Sequence, residues 1–67
     1  MKLISTYWRD SDNATAEVYG NDEDGYSIQY YDSSGMLLDK ESFPGKTARF
    51  HEDAAENWAL GIKPLPL

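Results

Sequence analysis

Residues 47–61, TARFHEDAAENWALG, carry the one clear helical period in the chain, and that period dictates what the rest must supply. Phe50, Ala54 and Trp58 recur at every fourth position and predict a single apolar stripe, with Ala55 and Ala59 beside it. Glu52, Asp53, Glu56 and Asn57 fall largely toward water. Thr47 is placed to cap the first turn, because its hydroxyl oxygen can accept one of the free backbone N–H groups there. Gly61 is placed to end the last turn, since glycine enters the left-handed conformation at little steric cost. Ile62 follows where a hydrophobic contact often closes such an end. One amphipathic helix cannot bury its stripe alone, so the remainder of the chain has to provide a sheet face.

The 67 residues give room for one domain, 1–67, and for a small core only. Cysteine is absent, so neither a disulfide nor a thiolate metal site can reinforce that core. Two Trp, five Tyr and two Phe must supply much of it. Each such ring can bury about 150–250 Å².

Four segments read as strands: residues 3–8, 14–19, 26–31 and 36–43. In the first, Ile4, Thr6 and Trp8 form one face and Leu3, Ser5 and Tyr7 the other, and the alternation leaves the inner face open between them. In the second, Ala14, Ala16 and Val18 are the apolar set and are expected under the helix. The stretch 32–35, Asp-Ser-Ser-Gly, fits a type I turn closed by a left-handed Gly35. That register sets Tyr31 opposite Leu37 and Tyr30 opposite Leu38. Tyr26, Ile28, Tyr30 and Leu38 then share the core face, while Ser27, Gln29, Tyr31, Asp39 and Glu41 share the other. Pro44-Gly45 ends the sheet, and the proline-alternating residues 62–67 form an extended tail. The expected fold is α+β: an antiparallel four-stranded meander with one C-terminal helix packed on one face, in the order ββββα.

The net charge is −6, from 12 acidic and 6 basic residues. Nucleic acid and anionic membranes require a basic face, so direct binding to either is not expected. The charge is compatible with a solvated surface, with a basic protein partner, or with mimicry of nucleic acid. No basic-then-apolar leader opens the sequence and no apolar run approaches a membrane span, which predicts a cytoplasmic protein.

Candidates for chemistry are few. The acidic stretch 21–25 ends in glycine like part of a calcium loop, but it lacks the EF-hand spacing and the closing glutamate; a solvated hairpin loop is the expected role. His51, the one histidine, has no nucleophile in a recognisable arrangement with it and is expected to be an exposed or half-packed helix residue. Asp10, Asp12, Asp39 and Glu41 could supply paired carboxylates, yet glycosidase-like chemistry needs a cleft that a two-layer fold of this size has little room for. No enzymatic activity, metal or cofactor is expected. Asn13-Ala14-Thr15 matches the glycosylation pattern, without a leader to expose it to that machinery.

The outward phase of the strands is more informative. Tyr19, Tyr31 and Leu37 are expected to cluster on the open face, framed by Glu17, Asp39 and Glu41. Aromatic anchors inside a polar rim mark a protein-binding patch. The competing role is plain sheet stabilisation by cross-strand aromatic pairs. The segment 65–67 could also cover this face. An open sheet edge leaves either a monomer or a weak homodimer.

Two stretches carry a family resemblance. Tyr30-Tyr31-Asp32 through Gly35 and on to Glu41-Ser42-Phe43-Pro44 is the first. Glu52-Asp53-Ala54-Ala55-Glu56-Asn57-Trp58 with Leu60-Gly61-Ile62-Lys63 is the second. Together they resemble small uncharacterised proteins of marine cyanobacterial phages. The resemblance implies a viral protein that binds something in a host cytoplasm, and it brings no active-site residues with it. The leading expectation is a small acidic, non-enzymatic interaction module using its outer sheet face on a basic partner. The alternatives are a nucleic-acid-mimicking inhibitor of a DNA-binding protein, for which loop 22–24, Asp10, Asp12 and the helix acids must form one stripe, and a metal-binding domain built on loop 21–25.

Overall fold

The computed structural model describes residues 2–62. Four strands, β1 (Leu3–Arg9), β2 (Ala14–Asn21), β3 (Gly25–Tyr31) and β4 (Leu37–Glu41), are followed by one helix, α1 (Ala48–Ala59). The strands form one antiparallel sheet in the order β1-β2-β3-β4, the expected meander. Helix α1 packs on β1, β2 and β3 and makes no comparable contact with β4. The segment 63–67, most of the expected extended tail, lies outside the described residues.

The helix is closed as its sequence requires. Thr47 Oγ1 accepts the Phe50 N–H at 3.2 Å, so Thr47 is the N-cap. At the other end the Gly61 N–H reaches the Trp58 carbonyl at 3.0 Å and the Ile62 N–H reaches that of Asn57 at 2.9 Å. This pair of bonds, with Gly61 at φ 82°, is a Schellman end.

The core lies between α1 and the middle of the sheet. Ala14, Ala16, Val18, Ile28 and Tyr30 from the sheet are buried against Ala54, Ala55 and Trp58 from the helix. Alanines on both layers let the backbones approach, and the Trp58 indole fills the space that remains. It meets the Tyr30 ring edge-on at 4.9 Å and carries the Arg9 guanidinium at 4.4 Å from its ring centre. The buried stripe is His51, Ala54, Ala55 and Trp58, rotated by one position from the expected one; Phe50 is 41% exposed.

His51 is therefore a core residue, and its expected exposure is corrected. Its Nδ1 is 2.8 Å from the Thr47 carbonyl, and its Nε2 is 3.1 Å from the Phe43 amide nitrogen. A carbonyl only accepts and an amide N–H only donates, so Nδ1 is the donor of this ring and Nε2 its acceptor. Tyr26, Phe43 and Phe50 surround it. His51 thereby ties the connection after β4 to the first turn of α1.

Strand phases follow from the pairing. In β1, Ser5, Tyr7 and Arg9 are half-buried toward the helix, while Ile4, Thr6 and Trp8 point outward. In β4 the expected register holds at Tyr31–Leu37 and then slips: Tyr30 pairs with Asp39 and Ile28 with Glu41. Leu38 is the extra residue of a bulge between them. Directly opposed residues share a face, so Asp39 and Glu41 turn to the helix side and the expected Tyr30–Leu38 pair is corrected. The Tyr30 hydroxyl donates to Glu41 Oε1 at 2.9 Å, which fixes the slipped register. A one-residue slip moves every later side chain to the other face.

Two substitutions test this packing. A Cβ on Gly20 would lie 2.1 Å from the Gly25 carbonyl oxygen, and Gly20 has φ 132°. Gly20→Ala is expected to cost at least about 2 kcal/mol in urea unfolding, with the midpoint falling accordingly. His51→Phe keeps the ring but strands the Phe43 N–H, and is expected to cost about 1–3 kcal/mol by the same measurement.

Candidate interaction surface

The outer face of the sheet is built in rows that the strand register sets. One row runs Trp8–Thr15–Tyr31–Leu37 across all four strands. The next runs Thr6–Glu17–Gln29–Lys40, and a third places Leu3, Tyr19 and Ser27 side by side. Trp8 is 67% exposed and Leu37 48%, so the first row is an apolar band open to solvent.

The two outward tyrosines are held in place. Tyr19 donates its hydroxyl to the Glu17 carboxylate, and Tyr31 donates to Gln29 Oε1. Each bond reaches back two residues along the same strand, so both rings lie along the sheet and lead toward its middle row. The Glu17 bond, with burial, pushes the Tyr19 hydroxyl up to about 12. Rings fixed before binding lose little conformational entropy when a partner arrives.

Of the six residues expected to make this surface, Tyr19, Tyr31, Leu37 and Glu17 share the outer face. Asp39 and Glu41 do not: the Leu38 bulge carries them to the opposite side, beside the Tyr30 hydroxyl. In their place Trp8 joins the band and Lys40 stands opposite Gln29. Trp8 was open to either phase in the sequence, because Tyr7 beside it offers an equal aromatic. The deciding signal lies one residue further on, in Arg9, whose cation packs on Trp58 and draws the odd-numbered phase inward.

Acidic turns stand at both ends of this face, and further acids lie on the helix side of the sheet. Asp22, Glu23 and Asp24 occupy one end of the sheet, Asp10, Asp12 and Asp32 the other, and Glu52, Asp53 and Glu56 lie on α1. Asp12 is engaged by the Arg9 guanidinium at 2.7 Å, which holds its carboxyl below the usual carboxylate range. Asp32 accepts from the Ser34 hydroxyl and from the Met36 and Ser34 amides of its turn, and is lowered as well.

The other sequence candidates do not converge. Asn21 Oδ1 accepts the Asp24 N–H at 2.6 Å, and Tyr26 donates to Asp22, so loop 21–25 is closed by its own bonds. Among the described residues no three His, Asp or Glu side chains gather as metal ligands. Asp10 and Asp12 follow β1, whereas Asp39 and Glu41 lie on β4 at the far edge, about 14 Å away by strand spacing. A cleft of about 540 Å³ opens between loop 22–25 and residues 42–47, lined by Tyr26, Phe43 and Lys46 among others. No helix among the described residues is long and apolar enough to cross a membrane.

The tyrosines and carboxylates set the limits of stability against pH. Burial, the Glu41 bond and the nearby Asp39 charge push the Tyr30 hydroxyl well above its ordinary value. A raised folded-state pKa gives stability that is complete below the unfolded value near 10 and is lost as pH rises through the folded one. Asp12 and Asp32, both lowered, have the opposite sign: their contribution is present above about 4 and disappears as pH falls. Stability measured by urea unfolding is expected to fall above about pH 10, and to fall less steeply there in Tyr30→Phe.

No protein-family model matches the chain, and no curated protein or solved structure matches it either.

Proposed function

We propose that the protein is a small acidic, non-enzymatic interaction module whose outer sheet face docks on a basic protein. The observation that carries this reading is the row Trp8–Thr15–Tyr31–Leu37, an apolar band across every strand with its tryptophan two-thirds exposed. Interface cores are enriched in such aromatics, and the acidic turns at both ends of the sheet supply the polar rim. A chain of net charge −6 draws oppositely charged partners over a long range, so association should be fast and salt-sensitive. The resemblance of residues 30–44 and 52–63 to small phage proteins would imply a partner in a host cytoplasm.

The acids that nucleic-acid mimicry would use lie on the turns at opposite ends of the sheet and on α1; no aromatic band enters that alternative, and the exposed row favours the docking reading. Photocrosslinking in the native host tests the preferred reading. A photoreactive residue at position 8 is expected to give one dominant adduct with a basic protein, and the adduct should weaken in roughly 0.5 M salt as the charges are screened. The same group at the exposed helix position Asn57 should give none. Equal adducts from both positions, or an acidic protein captured from position 8, would overturn it.

A further inference from the structure

The two edges of the sheet differ. At β4 the Leu38 bulge breaks the strand in its middle and leaves only Asp39, Lys40 and Glu41 in regular register beyond it. At β1 the irregularity falls at the start, between Leu3 and Ser5, and Ser5 to Arg9 run in unbroken register. Nothing among the described residues pairs with the free side of β1, and no proline interrupts it. Such an edge presents unpaired N–H and C=O groups to any extended chain.

Chemistry on the two sides of this edge is unequal. On the helix side, Glu52 accepts the Ser5 hydroxyl, which places its carboxylate over β1. Glu56 follows one turn later on the same flank of α1. The Arg9 cation does not offset them, because it is committed to Asp12 and to the Trp58 ring. On the outer side, Ile4 and Trp8 stand exposed beside Thr6.

We propose that the free edge of β1 accepts an extended strand of the basic partner, in which cationic residues alternate with apolar ones. This rests on the docking reading above and names the form of the partner. A strand added about 4.8 Å from β1 points successive side chains to opposite faces. Its cationic residues then lie beside Glu52 and Glu56, and its apolar residues extend the band that begins at Trp8. Main-chain bonds provide affinity and the two rows provide selectivity. A second copy of this chain fits less well, since pairing β1 with β1 would set Glu52 and Glu56 of both copies against each other.

The probe is a capped peptide the length of β1, alternating lysine with valine, titrated into the whole chain by NMR. Amide shifts are expected at Ser5 to Trp8, and exchange protection should appear on that strand. In a strand the lysine amides point to one edge and the valine amides to the other. N-methylation of one set should therefore abolish binding, while methylation of the other leaves it. Glu52→Gln with Glu56→Gln should weaken binding about tenfold or more. Equal binding of both methylated peptides, shifts confined to Tyr31 and Leu37, or no effect of the double substitution would each overturn the proposal. If the peptide fails while the position 8 adduct persists, the edge is excluded and the outer face stands. If the adduct fails while the peptide seats on β1, the docking reading falls and the edge remains as a peptide site.

Discussion

Trp58 is the contact on which the remaining structure depends. Its indole is fully buried and touches both layers, with Tyr30 of β3 at its edge and Arg9 of β1 over its ring. Removing a side chain of this size from water is worth about 4–6 kcal/mol from area alone. A chain of 67 residues has a net stability of roughly 3–10 kcal/mol. One ring therefore contributes an amount comparable to the whole margin. The alanines around it are the complement of that ring: Ala14, Ala16, Ala54 and Ala55 keep the layers close enough for it to fill the gap. Its Nε1 has no hydrogen-bond partner among the described residues, so shape and ring contacts hold it rather than a polar bond.

Because α1 covers β1 to β3 only, β4 needs a different arrangement on its inner side. Tyr30 supplies it. Its hydroxyl reaches the β4 carboxylate Glu41, and its backbone pairs with Asp39. Two acidic residues can then stand on the helix face of an edge strand without a helix above them. The Leu38 bulge is the geometric consequence, and it changes the outer face as well. The expected acidic frame of Asp39 and Glu41 is lost there, and Lys40 takes a place in the middle row.

The helix was legible because its period, its cap at Thr47 and its stop at Gly61 all agree on one segment. The inner face of β2 was legible for a similar reason, since Ala14, Ala16 and Val18 alternate with polar residues. What the residues did not disclose came from ambiguity in neighbouring pairs. Tyr7 and Trp8 offer equal aromatics in both phases of β1. Leu37 and Leu38 offer equal apolar residues in both phases of β4, so a bulge between strands costs no hydrophobic match and leaves no sequence signal. His51 was misread because an apolar stripe through Phe50, Ala54 and Trp58 leaves position 51 beside it. Yet the spacing 51, 54, 55, 58 describes the buried stripe better than 50, 54, 58 does.

The distribution of charge explains how an exposed apolar band persists in so small a chain. Within the strands, the outer face carries one acid, Glu17, and one base, Lys40, and they offset each other. Of the remaining acids, those on the turns flank the band, and those on α1 and on the inner side of β4 lie across the sheet from it. Two copies approaching face to face bring acidic turns toward acidic turns at both ends of the sheet, which opposes self-stacking. A basic surface meets attraction at those turns and apolar contact between them. On the proposed reading, the same charges oppose contact between copies of the chain and favour a partner of opposite sign.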